Sequence, residues 1–98
     1  FVEKLIYEKD GQERVINVDG VFVAIGRTPD TLSFKDKLNL TERGFVISDD
    51  KMKTSQEGVF VCGDVREGNM KQIATAVGEG AIAGTEASKY ILINKLSI

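Results

Sequence analysis

The chain contains no histidine and a single cysteine, Cys62. A disulfide framework is therefore excluded, and so are most zinc sites, which draw several ligands from those two residue types. Cys/His and Ser/His nucleophile pairs lack their base as well. No metal-ligating set and no catalytic residue is expected within this chain. Proline occurs once, at Pro29. No apolar run approaches the roughly 20 residues of a membrane-spanning helix, so no membrane partner is expected. The formal net charge is −2 over 98 residues, with Lys and Arg scattered rather than gathered in a stripe. That gives no electrostatic footprint for nucleic acid. Asn39-Leu40-Thr41 matches the glycosylation triplet; nothing else suggests secretion, and the match reads as chance.

What is present is ordinary for a globular chain: 42% hydrophobic and 29% charged residues. A chain of this length buries only about 60–65% of its unfolded surface, so stability is expected to depend on a neighbouring domain or subunit. The chain opens at Phe1 without an initiator Met, a basic leader or a signal-like core. That reads as a boundary inside a longer protein or as a processed piece.

Phe1 to Tyr7 is apolar and β-rich, Asp10-Gly11 supplies a turn, and Arg14 to Val18 alternates again. This pattern predicts a β-hairpin. After Asp19-Gly20, the run Val21-Phe22-Val23-Ala24-Ile25 predicts a strand buried on both faces. Gly26 ends it, and Arg27-Thr28-Pro29-Asp30 reads as a turn whose proline cannot extend a sheet. Thr31 to Glu42 is a connector with one short helical turn, and Gly44 to Ile47 a short strand. Val59-Phe60-Val61-Cys62 is a second buried-strand candidate ending at Gly63-Asp64. Cys62 is expected there as a small buried hydrophobe.

The last segment predicts a helix from Lys71 to about Asn94, with Asn69 as N-cap and Gln72 as capping-box partner. Ile73, Val77, Ala81, Ala87 and Ile91 recur near helical spacing, and Ala76, Gly80, Ala83 and Gly84 form a small-residue stripe. Each interior Gly costs about 1 kcal/mol relative to Ala, a cost that close approach of a sheet or ligand would offset. Gly78-x-Gly80-x-x-x-Gly84 has the wrong spacing and setting for a phosphate loop, so helix packing is the expected use of these glycines.

Two features converge on a ligand site. A buried strand delivers Gly63 and Asp64 at its carboxyl end, where open α/β sheets bind their ligands. Gly63 permits close approach, and Asp64 offers a carboxylate to a sugar or polyol hydroxyl. A few residues on, the helix start presents unpaired N–H groups and partial positive charge.

With these segments in order, the sequence resembles the C-terminal portion of the thioredoxin reductase family, within the FAD/NAD(P)-dependent pyridine nucleotide-disulfide oxidoreductases. Gly20 to Pro29 looks like the exit from the NAD(P)H-binding domain, and Thr54 to Asp64 like the second FAD motif. Lys71-Gln72-Ile73-Ala74-Thr75-Ala76-Val77-Gly78-Glu79-Gly80-Ala81 looks like the flavin-facing helix start. The resemblance implies an α/β fold: part of a two-domain FAD/NAD(P)-binding architecture, with a β-hairpin and buried strands followed by a long C-terminal helix. Residues 1–30 would end the NAD(P)H domain, and residues 31–98 would belong to the FAD domain. It implies that Gly63 and Asp64 meet the ribityl or phosphate-linker hydroxyls of FAD. Lys71, Gln72 and Ile73 would line the pyrimidine side of the isoalloxazine, largely through backbone contacts. Many relatives carry Arg where Lys71 stands; Lys keeps the charge and loses the planar fork.

The family's G-x-G-x-x-G motifs and its C-x-x-C are absent from these residues. The resemblance therefore implies a cytoplasmic parent flavoprotein that takes NAD(P)H as electron donor and passes electrons to a thioredoxin-like or peroxiredoxin acceptor. The parent would be a homodimer, with the rest of the FAD and NAD(P)H domains as this segment's immediate partners. The segment alone is expected to be inactive. A ferredoxin- or flavodoxin-linked NADP reductase segment, or a non-catalytic structural or dimerising piece without cofactor, are the alternatives.

Overall fold

Asp10 and Gly11 both take positive φ, 56° and 74°, as a type I′ turn requires. In the computed structural model, which describes residues 1–95, this turn joins β1 (Lys4–Lys9) to β2 (Gln12–Asn17). The strands pair antiparallel, with Leu5 opposite Ile16 and Ile6 opposite Val15. Apolar cross-strand pairs of this kind contribute about 0.2–1 kcal/mol each. Both strands are exposed along their whole length, and an uncovered two-stranded hairpin is marginal in water. Gly11→Val puts a β-branched residue at left-handed φ, where strain costs about 1–2 kcal/mol. We expect that to abolish the hairpin, read as loss of cross-strand NOEs between Ile6 and Val15.

The expected strand at Val21–Ile25 is not formed. The segment carries no regular secondary structure and bends at Ile25, and Phe22, Val23 and Ile25 are 100%, 78% and 92% exposed. β-branched composition favours a strand only when a neighbour supplies ladder bonds and a packed face. Among the described residues nothing lies alongside to do so.

From Thr31 onward the chain builds a small second unit. The anticipated helical turn is a 3-10 turn at Leu32–Phe34, and the buried Thr31 hydroxyl donates to the Gly44 carbonyl at 2.6 Å. The short strand expected at Gly44–Ile47 is reduced to bridges at Val46, antiparallel to Leu40 and parallel to Arg66. Asp49 Oδ1 accepts the Lys51 and Lys53 amides, each at 2.9 Å. This turn holds Met52 at φ 64° with its side chain in the core. Lys53 then bridges Phe60, and the Val61 amide donates to the Met52 carbonyl at 2.9 Å.

Val46, Met52, Val61 and Ala83 are the buried apolar side chains among the described residues. Cys62, expected inside, is exposed. Successive residues of an extended segment face opposite ways, so burying Val61 turns Cys62 outward, and only one side of this segment is covered.

Helix α1 spans Ile73–Ile93. It starts two residues later than expected, with Gln72 in extended conformation at the N-cap position and no side-chain cap bond. Its packed face also differs from the apolar stripe seen in sequence. Ile73 and Val77 are 86% and 69% exposed, whereas Glu79, Ala83 and Glu86 are buried. The small-residue stripe does face inward at Ala83, with Ala76 and Gly80 half-buried, but Gly84 is exposed. Apart from the helix's own backbone and the chain neighbours, no atom lies within 4 Å of where a Cβ would stand at Gly78, Gly80 or Gly84. Close packing among the described residues therefore does not account for these glycines.

The shape follows from the sparse core. The radius of gyration is 20.0 Å and the extents are 64 × 27 × 23 Å, against about 13 Å for a compact chain of this length. The accessible surface of 8212 Å² exceeds the roughly 5,500 Å² of a compact monomer of this mass. No described helix is long and apolar enough to cross a membrane, and no cluster of three His, Cys, Asp or Glu residues could hold a metal among the described residues.

Candidate functional site

The site is built on the loop between Val61 and α1. Gly63 takes φ 82°, a left-handed conformation that side-chain-bearing residues adopt only at a cost. Its carbonyl accepts the Arg66 amide at 3.0 Å and the Asn69 carboxamide at 2.7 Å. Its own N–H donates to Glu79 Oε2 at 2.8 Å. Glu79 is 6% exposed and gathers the remaining donors. Arg66 Nη1 reaches Oε1 at 3.1 Å, and Asn69 Nδ2 sits 2.9 and 3.1 Å from the two carboxylate oxygens.

Burial pushes the Glu79 carboxyl up, but the hydrogen bonds from Asn69, Gly63 and Arg66 outweigh it. The net direction is below the ordinary carboxylate range. Asn69, expected to cap the helix through its Oδ1, accepts the Lys71 ammonium there instead, at 2.8 Å, while its amide donates to Gly63 and Glu79. The helix starts beyond it, after Gln72, with no side-chain cap.

Lys71 closes the loop from outside. Its ammonium donates to the Arg66 carbonyl at 3.1 Å and to Asn69 Oδ1 at 2.8 Å, and it lies 4.3 Å from the centre of the Phe45 ring. Such a cation–π contact is worth about 0.5–1 kcal/mol when exposed. The Lys71 charge is thus engaged within the loop, which leaves its backbone as the part free to meet a ligand.

Asp64, Lys71, Gln72 and Ile73 line a single open trough of about 1330 Å³, shared with Pro29 and Phe45. Gly63 lies behind that wall, where a Cβ would stand 3.8 Å from Ala76. Asp64 is exposed and takes part in no ion pair or side-chain hydrogen bond among the described residues. At the helix start the first backbone bond runs from the Ala76 amide to the Gln72 carbonyl at 3.0 Å. The Ile73, Ala74 and Thr75 amides therefore have no acceptor among the described residues. One trough thus holds a free carboxylate and an uncapped helix N-terminus, a pairing suited to a ligand bearing hydroxyls at one end and an electron-rich edge at the other.

Residues 3–80 match the family model for pyridine nucleotide-disulphide oxidoreductases. The chain belongs to that family. Among relatives of this pyridine nucleotide-disulphide oxidoreductase segment, the thioredoxin reductase of Listeria innocua is 41% identical over 88 residues. That match covers 90% of this chain and 28% of the relative. Two solved thioredoxin reductases share its fold. The Streptococcus pyogenes enzyme is 41% identical with TM-score 0.73, covering 91% of this chain and 30% of that one. The Lactococcus lactis enzyme is 36% identical with TM-score 0.74, covering 92% and 30%. The chain thus spans less than a third of the relatives it matches. Its mixed α/β fold, a hairpin followed by a C-terminal helix, matches part of the thioredoxin reductase fold.

The sequence pattern gathered Asp64, Lys71, Gln72 and Ile73, and the trough unites them. It missed Glu79, Arg66 and Asn69. A signal for Glu79 was present: an acidic residue on the small-residue face of the helix, three after Ala76 and four before Ala83. A carboxylate on a packing face needs a partner.

Proposed function

We propose that this chain is the part of a thioredoxin-reductase-type flavoprotein that forms the ribityl and pyrimidine side of an FAD site. Residues 1–30 then belong to the NAD(P)H-binding side of the protein and residues 31–98 to the flavin-binding side. The observation carrying this reading is that Asp64 and the uncapped start of α1 border one trough. The donor set fits the cofactor's chemistry. Asp64 accepts from ribityl or linker hydroxyls, Gly63 lets that part of the backbone come close, and the amides of Ile73 and its neighbours face electron-rich ring atoms. Gln72 and Lys71 contribute mainly backbone, since the Lys71 ammonium is committed to Asn69 and the Arg66 carbonyl.

FAD, when bound, supplies the two-electron redox chemistry, and these residues orient it and set its electrostatics. With one cysteine in the chain, no dithiol can form here. NAD(P)H as donor, a thioredoxin-like or peroxiredoxin acceptor, a homodimeric assembly and a cytoplasmic setting are properties we assign to the whole flavoprotein. The 98 residues alone are expected to show no NADPH-dependent dithiol turnover.

The test is Asp64→Ala in a flavoprotein carrying this segment, either its own full-length chain or the Listeria innocua thioredoxin reductase given these residues in place of its own. Losing hydrogen bonds to a charged acceptor costs about 1.5–3 kcal/mol, so FAD binding to the apoprotein should weaken about 10- to 100-fold. An FAD affinity within about twofold of the parent, a difference of only some 0.4 kcal/mol, would overturn the assignment.

A further inference from the structure

We propose that Glu79 is a positioning residue for the flavin site, fixing Asp64 relative to the first turn of α1 by holding the Gly63 peptide; this rests on the flavin reading above. Asp64 has no side-chain partner of its own among the described residues, so its place is set by the backbone it stands on. That backbone is pinned on one side, where the Gly63 N–H donates to Glu79 Oε2 at 2.8 Å. Asn69 ties the other side of the same residue to the same carboxylate, donating to the Gly63 carbonyl at 2.7 Å and to Glu79 at 2.9 Å. Arg66 supplies the balancing charge at 3.1 Å.

Glu79 and the helix tip belong to one continuous helix, Ile73–Ile93. Six residues of helix separate Ile73 from Glu79 by about 9 Å along the axis, and that spacing is rigid. One buried carboxylate thereby converts the helix into a ruler between the two halves of the site. A carboxylate is required because both of its oxygens only accept. Glutamine in either flip would set an amide N–H₂ against Gly63 N–H or Arg66, donor against donor.

The test is a double-mutant cycle on FAD binding in the flavoprotein carrying this segment, combining Glu79→Gln with Asp64→Ala and following bound-flavin fluorescence and visible circular dichroism. Glu79→Gln alone should weaken FAD about tenfold or more, the worth of a hydrogen bond to a charged group, and alter the flavin spectrum. In the Asp64→Ala background the same change should cost less than about twofold, within the additivity error of independent sites. An equal loss in both backgrounds would show that Glu79 only supports the fold, and no loss in either would remove it from the site. If Asp64→Ala alone has no effect, the flavin reading of Asp64 fails, and this inference with it. Should Glu79→Gln not fold, Asn69→Ser removes the second tie, from the Gly63 carbonyl through Asn69 to Glu79, while keeping the direct Gly63 N–H bond and the Arg66 pair. The same non-additivity with Asp64→Ala is expected there, and simple additivity would overturn the proposal.

Discussion

Arg66→Ala should cost the C-terminal unit about 3–5 kcal/mol at neutral pH, the loss typical when one partner of a buried ion pair is removed. The magnitude follows from what stays behind. Glu79 is 6% exposed, and without the guanidinium at 3.1 Å it keeps only neutral donors around a desolvated charge. Arg66 also ties Ser48 Oγ at 2.7 Å and the Asp49 carbonyl at 3.3 Å to the same point, so the Asp49 turn loosens with it. Whole domains are stable by only about 5–15 kcal/mol, and this chain has few buried apolar side chains. Urea denaturation followed at 222 nm should therefore show most of the helical signal lost at low denaturant. A cost below about 1 kcal/mol would mark the pair as no better than a surface bridge.

The pH dependence has a definite sign. The Glu79 carboxyl is held below its ordinary 4.5, so the folded state favours the ionised form. Its contribution is fully present above that value and is lost as pH falls through the depressed folded value. The parent chain should thus lose stability in acid below about pH 4.5, and the gap between it and Arg66→Ala should shrink over the same range. A gap that stays constant with pH would mean that Glu79 is not the group responsible.

The second attachment of α1 lies near its other end. Gly58 has φ 79°, and a Cβ there would stand 3.4 Å from two atoms of the Tyr90 ring and from its hydroxyl oxygen. That ring meets Phe60 edge-on, with centroids 6.3 Å apart and planes at 72°, and its hydroxyl lies 3.4 Å from Glu57 Oε1. Gly58→Val adds left-handed strain of about 1–2 kcal/mol. It also displaces the aromatic contact, worth about 0.5–1.5 kcal/mol. The combined loss should lower the midpoint of thermal unfolding by about 10 °C or more. Gly58→Asn, which tolerates that conformation better, should lose distinctly less. Equal losses for the two variants would show that crowding against Tyr90, not backbone strain, carries the effect.

Local steric rules made several features readable from residue order. Asp10-Gly11 permits a tight reversal that few other pairs permit, and the hairpin formed where it was expected. A long stretch without proline, rich in alanine and other residues that tolerate a helix, became α1. Gly63-Asp64 followed by a helix start suggested a ligand site, and the trough brings Asp64, Lys71, Gln72 and Ile73 together. Failures arose wherever the outcome depended on a neighbour. Val21–Ile25 has the composition of a buried strand and, among the described residues, no strand to pair with. Cys62 is compatible with burial on a two-sided sheet, yet this segment has one covered side. Ile73 and Val77 form an apolar row that the fold leaves in solvent, because the Asp49 turn and the Gly63 loop lie against the row that carries Glu79, Ala83 and Glu86.

Glu79 shows most plainly where residue order stops being informative. Its helical state is local, set by the backbone bonds of the turns around it. Its role depends on partners 10, 13 and 16 positions earlier, at Asn69, Arg66 and Gly63, and hydrophobic periodicity carries no information about so distant a set of donors. Residue order by itself determined the turn, the helix and the pairing of an acidic loop with a helix start. Tertiary structure alone decided which face of that helix is buried and which side chain caps what. A buried carboxylate must collect its hydrogen bonds from whatever the completed fold brings within about 3 Å.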